Sequence, residues 1–290
     1  MAFVANSLSN LPVTSGSIFF VDSGASRASD GNAGRDPNVP MATIDAAVAR
    51  CTANNGDIIV VMPGHDENPT TSITLDVAGI WVYGLGWGAS RPTITFGATA
   101  ATLAISAASC RVSNLVFDLG TVAATITVGI TITGADCIIE DCEIPSHATS
   151  QFTSMITTTA DADRLTLRRN RFRGLAGTAG AVGITLVGCD DLNMHDNVVS
   201  GGFSTGTVAQ ITTAANRVHI YNNFLVNDSA FYALDVHDST TGLIMNNLIG
   251  SGAAFGATLD PGNTWPAQNF AVDVADGTVT GAVIPKTGSS

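Results

Sequence analysis

A recurring asparagine in the second half of the chain constrains the fold more than any other sequence feature. It returns at intervals of 27, 26 and 24 residues, at Asn170, Asn197, Asn223 and Asn247. The residues three before and two after each asparagine are apolar, and this spacing continues towards the N-terminus without the asparagine. There it puts Trp87, Phe117 and Ile144 at the second apolar position. A fixed internal period of this length indicates a solenoid.

The spacing also predicts how each repeat folds. Side chains alternate between the two faces of a strand, so the two apolar positions mark inward faces on either side of a bend. Asparagine suits that bend because it tolerates a left-handed backbone, and stacked copies can hydrogen-bond from coil to coil. Further strands precede most repeats, for example around Ile184 and Leu186. The sequence therefore predicts an all-β parallel β-helix of about seven or eight coils; a β-sandwich with evenly spaced strands is the alternative.

The segments outside the repeat give the domain organisation. Residues 42–54 carry Ile44, Val48 and Cys51 at helical spacing, which predicts a short helix capping the first coil. Residues 1–16 are interpreted as an N-terminal arm, and residues 17–255 as the β-helix domain including that helix. Pro261 and Pro266 interrupt the pattern, so residues 256–290 are predicted to be an extended C-terminal segment that covers the last coil or reaches a neighbouring subunit.

Composition excludes several functional classes. The net charge of -12 argues against a general affinity for nucleic acid, which depends on many Lys and Arg side chains. The N-terminus has no basic start, and no run of eighteen apolar residues occurs, so we expect a soluble protein made in the cytoplasm without a membrane partner. The five cysteines lack metal-ligand spacing and are interpreted as buried apolar residues; we expect no metal and no cofactor.

A resemblance to a known family begins at the entry of the repeat. Residues 19–67 contain a strand ending in Val-Asp, an Asp-Gly-Asn loop, a Thr-Ile start to the capping helix and a Gly-Asp-Ile-Ile-Val-Val-Met-Pro-Gly strand. This stretch resembles the entry segment of pectate-lyase-like right-handed β-helix proteins, most closely the β-helix proteins of bacteriophage virions. The resemblance implies a right-handed coil. It leaves the activity open, because that superfamily includes pectin-cleaving enzymes, epimerases, tailspikes and catalytically silent virion proteins.

Five arginines lie close together in this acidic chain, from Arg164 to Arg173. In the repeat register, the coil that carries Arg168, Arg169 and Arg171 stacks on an acidic coil, so each of these arginines is predicted to have a carboxylate beside it. The matching acids are Glu140, Asp141 and Glu143, and Asp196 follows Arg169 in the next coil. An alternating charge ladder is the preferred interpretation. The alternative is a sugar-cleaving acid–base site made of Glu140, Asp141, Arg168, His195 and Asp196.

Beyond the charges, the same register turns apolar on its outward side. Exposed apolar rows usually mark contact surfaces, so we predict a protomer interface there. Its predicted members are Arg168, Arg171, Val198, Phe224, Met245 and Leu248.

Two function classes follow from these patterns. The first is a non-enzymatic bacteriophage virion protein, a capsid decoration protein that forms a homotrimer and contacts the major capsid protein or another virion protein. Its small N-terminal arm favours this role over a tailspike. The second is a tailspike or related β-helix protein that degrades or binds a polysaccharide, with Trp81, Tyr83 and Tyr221 as platforms for sugar rings.

Overall fold

The computed structural model describes residues 14–120, 126–147, 151–174, 182–203, 207–252, 259–273 and 282–283. It confirms an all-β parallel β-helix. Three long sheets, named A, B and C here, run along the molecule, and the chain visits them in the repeating order C, A, B. Sheets A and B have ten strands each and sheet C has eight, in line with the predicted seven or eight coils.

The strand bounds follow the repeat. Sheet A comprises Ile18–Val21, Ile58–Val61, Trp81–Gly84, Arg111–Ser113, Ile138–Glu140, Thr166–Arg168, Asn193–His195, Val218–Tyr221, Gly242–Met245 and Trp265–Ala267. Sheet B comprises Asp66–Glu67, Thr93–Thr95, Val116–Asp118, Glu143–Ile144, Arg171–Arg173, Val198–Gly201, Phe224–Asn227, Leu248–Ser251, Phe270–Asp273 and Ala282–Val283. Sheet C comprises Ile73–Leu75, Leu103–Ile105, Ile126–Ile132, Phe152–Thr158, Val182–Val187, Ala209–Thr213, Leu234–Val236 and Leu259–Asp260. Pairing between successive coils is parallel; the pair of Phe270–Asp273 with Ala282–Val283 is antiparallel.

The core is a continuous apolar column, because every coil turns alternate side chains inward. Val112, Ile139 and Leu167, for example, are neighbours on successive strands of sheet A, and all three are fully buried. Burying such a side chain contributes about 1.5–3 kcal/mol, and the repetition over many coils stabilises the stack.

The predicted asparagine ladder is present, and it is longer than the sequence pattern suggested. The amide of Asn170 donates to that of Asn197, and the same bond joins Asn197 to Asn223, Asn223 to Asn247 and Asn247 to Asn269, at 2.9–3.0 Å. All five side chains are buried. The left-handed bend, however, lies one residue earlier, at positions such as Arg169, Asp196 and Asn222. The ladder asparagines therefore fill the inside of the corner while their predecessors make the turn.

The β-helix continues past the predicted boundary at residue 255. The strands Leu259–Asp260, Trp265–Ala267 and Phe270–Asp273 add to sheets C, A and B. Pro266 is tolerated because its strand is the last of sheet A, where a missing N–H breaks no ladder hydrogen bond.

The N-terminal end departs from the prediction in two places. The helix spans only Ile44–Val48, shorter than the predicted 42–54; Thr43 caps it by accepting from the Ala46 amide at 3.2 Å. After the helix, the Asp57 carboxylate accepts hydrogen bonds from the backbone N–H groups of Ser17 and Thr52, both at 2.6 Å. Residues 1–13 of the predicted arm lie outside the described residues.

Trp87 is the second departure from the predicted pattern. Its side chain is 87% exposed, and Ile94 occupies the inward position assigned to it. The eight residues between the sheet A strand ending at Gly84 and the sheet B strand beginning at Thr93 form a short insertion with one 3-10 turn, Gly88–Ser90. The apolar pattern did not reveal this insertion because Trp87 itself is apolar.

Candidate functional site

The charged face predicted from the arginine-rich coil is built around one buried carboxylate. Glu140 is 1% exposed and lies on the outer face of sheet A, between Ser113 and Arg168 on the neighbouring strands. It accepts hydrogen bonds from the Nε of Arg111, from the Nε of Arg168 at 2.7 Å and from Nη2 of Arg169 at 2.9 Å. The ladder prediction is therefore confirmed here, with Arg111 as a partner that the sequence reasoning missed.

At the adjacent corner, Arg169 also binds Asp141, with Nε to Oδ1 at 2.9 Å and Nη2 to Oδ2 at 2.8 Å. This pairing raises the pKa of the Arg169 guanidinium. Asp141 and Arg169 both adopt left-handed backbone, with φ near 54°. The two side chains pair through two hydrogen bonds because the left-handed corners that carry them lie next to each other in successive coils.

Arg171 does not follow the prediction. Glu143 is its neighbour across the strands, but the Glu143 carboxylate binds Arg91 at 2.8 Å instead. Arg91 lies near the end of the unforeseen insertion, so the sequence register did not show that Arg91 reaches Glu143. Neither Arg171 nor Arg173 makes an ion pair with any described residue, and both side chains are exposed.

The predicted catalytic set is divided by the structure. Glu140, Arg168 and His195 follow one another on the outer face of sheet A, with Asp141 and Asp196 at the corner. Asp196 contacts His195 at 2.7 Å instead of Arg169, and the His195 ring stacks on Tyr221 with centroids 4.7 Å apart. Glu140 and Asp141 are thus ion-paired with arginines. Asp196 contacts His195, which lies in the coil after the one that carries Arg168 and Arg169.

A groove of about 490 Å³ opens on the same face, nearer the N-terminus. Two of the predicted sugar platforms, Trp81 and Tyr83, line it, with ring centroids 5.2 Å apart. His195 and Asp196 do not line it, and neither does Tyr221. The full set of lining residues is Trp81, Tyr83, Arg111, Ser113, Asn114, Glu140, Asp141 and Arg169.

A second charge ladder follows the corner between sheets C and A. Asp136, Arg164, Asp191 and Arg217 occupy successive left-handed positions there. Arg164 binds Asp136 with Nη2 to Oδ2 at 2.8 Å, and Arg217 binds Asp191 likewise at 2.7 Å. Hydrogen bonds from these arginines lower the pKa of both aspartates. In the sequence, the residue just before the sheet A strand segment of each coil alternates between a negative and a positive charge, and this alternation could have predicted the ladder.

The predicted interface residues fall on two sheets. Val198, Phe224 and Leu248 are neighbours on the outer face of sheet B, and Phe270 extends their row. Met245 and Arg168 lie on sheet A, where Arg168 is bound to Glu140. The outward apolar row on sheet B is called the apolar stripe below; it consists of Val198, Phe224, Leu248 and Phe270.

All five cysteines are free thiols. Cys110, Cys137, Cys142 and Cys189 are buried free thiols, and Cys51 is half-buried. Burial raises the pKa of Cys51 and Cys142 to about 12, which keeps both thiols protonated at neutral pH. Among the described residues, no group of three or more His, Cys, Asp or Glu side chains could hold a metal ion. No helix in these parts of the chain is long and apolar enough to cross a membrane.

Comparison with known proteins finds similarity at the level of structure, to two solved chains. No protein-family model matches the sequence, and no curated protein matches it. Among solved structures, the crystal structure of pectate lyase Pel9A is similar over 92% of this chain and 82% of the lyase chain, with 14% sequence identity and a TM-score of 0.37. We transfer no residue role from that lyase; the β-helix assignment follows from the strand pairing described above.

Proposed function

We propose that this chain is a non-enzymatic structural protein of a bacteriophage virion, a capsid decoration protein that assembles as a homotrimer through the apolar stripe. The stripe is the observation that carries the assembly. Phe224, Leu248 and Phe270 are 38%, 37% and 42% exposed and stack directly on one another. With Val198 they extend over about 14 Å, three strand spacings of roughly 4.8 Å. Contiguous exposed apolar side chains of this kind mark contact surfaces.

Charges beside the stripe support a contact between copies of this chain. Arg171 and Arg173 continue the outer face of sheet B below Val198 and have no acidic partner among the described residues. The corner between sheets C and A carries an excess of acids over arginines at the neighbouring coils. Its charged residues are Asp136, Asp161, Asp163, Asp190 and Asp191, against Arg164 and Arg217.

Those two surfaces lie on different sides of the same coils, since Asp161, Asp163 and Arg171 belong to one turn of the helix. Copies placed side by side, with their axes parallel, bring the arginines of one against the acidic corner of the next. Such a contact uses two different patches, and it closes into a ring when the rotation allows. Three copies is the number that the resemblance to bacteriophage β-helix proteins suggests. The virion setting and the capsid protein as partner also come from that resemblance.

The alternative, a polysaccharide-degrading protein, has weaker support. A catalytic carboxylate must reach the substrate and exchange a proton with it. Glu140 is buried beneath three arginines, and Asp141 is held by Arg169. The remaining predicted acid, Asp196, does not line the groove.

The assembly is tested by the solution mass of the purified full chain, measured by light scattering. We expect the mass of three chains for the natural protein and of one chain for the double variant Phe224→Ser, Leu248→Ser. The matched control is Trp265→Ser, which removes an aromatic side chain that is 59% exposed on sheet A, and it should remain trimeric. A natural protein with the mass of one chain would refute self-association through the stripe.

The role in the virion needs a separate test. Virions are dissociated, tails and capsids are purified apart, and each fraction is probed for this chain. We expect it on tail-free capsids. Recovery on capsid-free tails would replace the decoration role by a tail role, whatever the result of the mass measurement.

A further inference from the structure

Two of the buried thiols lie directly beside each other in successive coils. Ile138 pairs with Arg111 in sheet A, and the backbone N–H of Ile138 donates to the Cys110 carbonyl at 2.9 Å, so the preceding residue, Cys137, is the neighbour of Cys110. Both side chains are fully buried in the apolar core, on the same side of the sheet. Neighbouring strands are about 4.8 Å apart, which falls within the Cα separation of roughly 4.4–6.8 Å that a disulfide spans. The backbone therefore holds these two residues at a distance that permits a disulfide.

The two sulfur atoms approach the same turn. Sγ of Cys110 lies 3.8 Å from the carbonyl oxygen of Ala108, and Sγ of Cys137 lies 3.5 Å from that of Ala107. The side-chain hydrogen bond between the thiols lowers the pKa of Cys137 and, together with burial, raises the pKa of Cys110. Cys137 therefore loses its proton more readily than Cys110, and the thiolate is the nucleophile in disulfide exchange.

The other three cysteines, which also lie in the described parts of the chain, have different neighbours. The Cys142 backbone N–H donates to the ladder residue Asn170 at 3.0 Å, and Sγ of Cys189 lies 3.1 Å from the Thr158 hydroxyl oxygen. Cys51 lies outside the sheets, on the turn after the helix. Cys110 and Cys137 are thus the two cysteines that successive coils place side by side.

One layer of turn residues separates this pair from solvent. Ser109 and Asp136, the residues just before the two cysteines, are exposed and have left-handed backbone, with φ 59° and 60°. Exposed turns open locally at a lower free energy than the strands of a core. Opening of this corner would expose the two thiols while the sheets on either side stay paired.

We propose that Cys110 and Cys137 are a redox-active pair, which a small-molecule disulfide such as oxidised glutathione converts into a disulfide bond that ties two successive coils together. The Cys137 thiolate attacks one sulfur of glutathione disulfide, whose S–S bond breaks and releases one glutathione. The Cys110 thiol then gives up its proton and attacks the Cys137 sulfur, which releases the second glutathione. The two protein thiols lose two electrons and two protons, and the two glutathione molecules take them up.

This pair does not depend on the proposed assembly. Both cysteines belong to one chain, so the disulfide forms within a monomer or within each copy of a trimer. A trimer contact at this corner would slow the reaction but would not change its product. The two proposals therefore stand or fall separately.

The test follows the thiols of the folded protein. The purified full chain is reduced, freed of reductant and incubated with glutathione disulfide without denaturant, while circular dichroism checks that it stays folded. Remaining thiols are then alkylated in denaturant and the intact mass is measured. We expect a single-chain mass, three alkylated cysteines of the five, and one cross-linked peptide pair that contains Cys110 and Cys137. Five alkylated cysteines, a link between chains, or a disulfide that forms only in denaturant overturns the proposal.

Single substitutions assign the two roles. Cys110→Ala should stop the reaction at a glutathione adduct on Cys137, and Cys137→Ala should leave Cys110 reduced. Cys142→Ala and Cys189→Ala are the matched controls, because each removes a buried thiol that has no thiol neighbour, and both should still form the cross-link. Loss of the cross-link in a folded control would refute the assignment to this pair. A glutathione adduct on Cys110 in the Cys137→Ala variant would refute the order of attack.

The melting temperature measures the link between the coils. The two cysteines are 27 residues apart, and closing a loop of that length restricts the unfolded chain. We expect the oxidised protein to melt roughly 5–10 °C above the reduced protein. Cys137→Ala, which lacks the attacking thiol, should show no change with the oxidant. An oxidised protein that melts no higher than the reduced one would contradict a bond that ties the coils together.

Discussion

The corner between sheets A and B carries two rows of side chains that follow the same coils one residue apart. The inner row is the asparagine ladder, and the outer row makes the left-handed turn, with φ between 53° and 58°. The outer residues include Asp141, Arg169 and Gln268, whereas the inner row keeps asparagine through five coils. The backbone N–H groups of the outer row donate to carbonyls of the next coil in the same way. Examples are Asp141 to the Arg168 carbonyl at 3.2 Å and Asn222 to the Met245 carbonyl at 3.3 Å. Backbone geometry thus permits different residue types in the outer row, which water reaches. In the inner row the five coils from Asn170 to Asn269 keep asparagine, whose buried amide bonds to the amide of the neighbouring coil.

The physical reason lies in what each amide must satisfy. The Asn197 oxygen accepts from both the backbone and the side-chain nitrogen of Asn170, while its own nitrogen donates to the Leu167 carbonyl and to Asn223. In a buried site each of these groups would cost about 1–3 kcal/mol if left without a partner. The outer residues can bond to water instead.

The largest effect is expected from Asn197→Ala. It leaves the two Asn170 donors without their acceptor and opens a small cavity, so we expect the free energy of unfolding to fall by about 3–5 kcal/mol. Urea denaturation followed by circular dichroism measures it. The control is Asn216→Ala, which removes an exposed asparagine that also bonds across coils, to Asp190, and should cost less than about 0.5 kcal/mol. Similar losses in both variants would contradict the distinction between buried and exposed rows.

Glu140→Gln tests the intermediate case, a buried carboxylate whose partners reach solvent. The arginine side chains around Glu140 are 30–45% exposed, so water can solvate the guanidinium groups that lose their carboxylate partner. We expect a loss of about 2–3 kcal/mol in the free energy of unfolding, below the cost of breaking a fully buried pair. Asp141→Asn is the control, because that carboxylate is 43% exposed and should cost less than about 1 kcal/mol. A larger loss for Asp141→Asn would mean that burial does not set the order.

The same contrast explains how much the sequence predicted. The apolar alternation was readable because apolar residues recur at the inward positions of every coil, and the asparagine ladder was readable because four successive coils carry asparagine at the same corner position. The insertion with Trp87 was not, since an apolar residue happened to stand at the expected distance, and the pairing of Arg91 with Glu143 depends on that insertion. Pro266 led to the prediction that the coils end before it, because proline is excluded from the inner strands of a sheet. The strand that carries Pro266 lies at the edge of sheet A, where proline is tolerated. The candidate site was predictable as a charged face, but the groove needed the side chains of three coils in place.

On sheet C, two neighbouring aspartates have no arginine beside them on the described strands. Removing a charge there should stabilise the fold, whereas the substitutions above destabilise it. Asp235 and Asp260 are neighbours on adjacent strands, and partial burial, with the charges of Asp260 and Asp238, raises the pKa of Asp235. Its ionised form therefore destabilises the folded chain once the pH exceeds the unfolded pKa, near 3.9. We expect Asp235→Asn to raise the melting temperature at pH 7 by up to about 2–4 °C, and the gain to vanish as the pH falls below about 4. An unchanged gain at low pH would exclude ionisation as the cause.

The smallest effect is expected from Arg217→Gln in the exposed ladder between sheets C and A. The hydrogen bonds from Arg217 to Asp191 lower the pKa of Asp191, so any stabilisation from this pair is present above the unfolded aspartate pKa and is lost as the pH falls through the folded value. Both side chains are well exposed, and water and salt compete for them. The variant should shift the melting temperature at pH 7 less than any other substitution named above, and added salt should remove even that difference. If Arg217→Gln instead matched Glu140→Gln in cost, the ion pairs on the outside of the corner would stabilise the stack as strongly as a buried carboxylate, and exposure would not separate the two kinds of ladder.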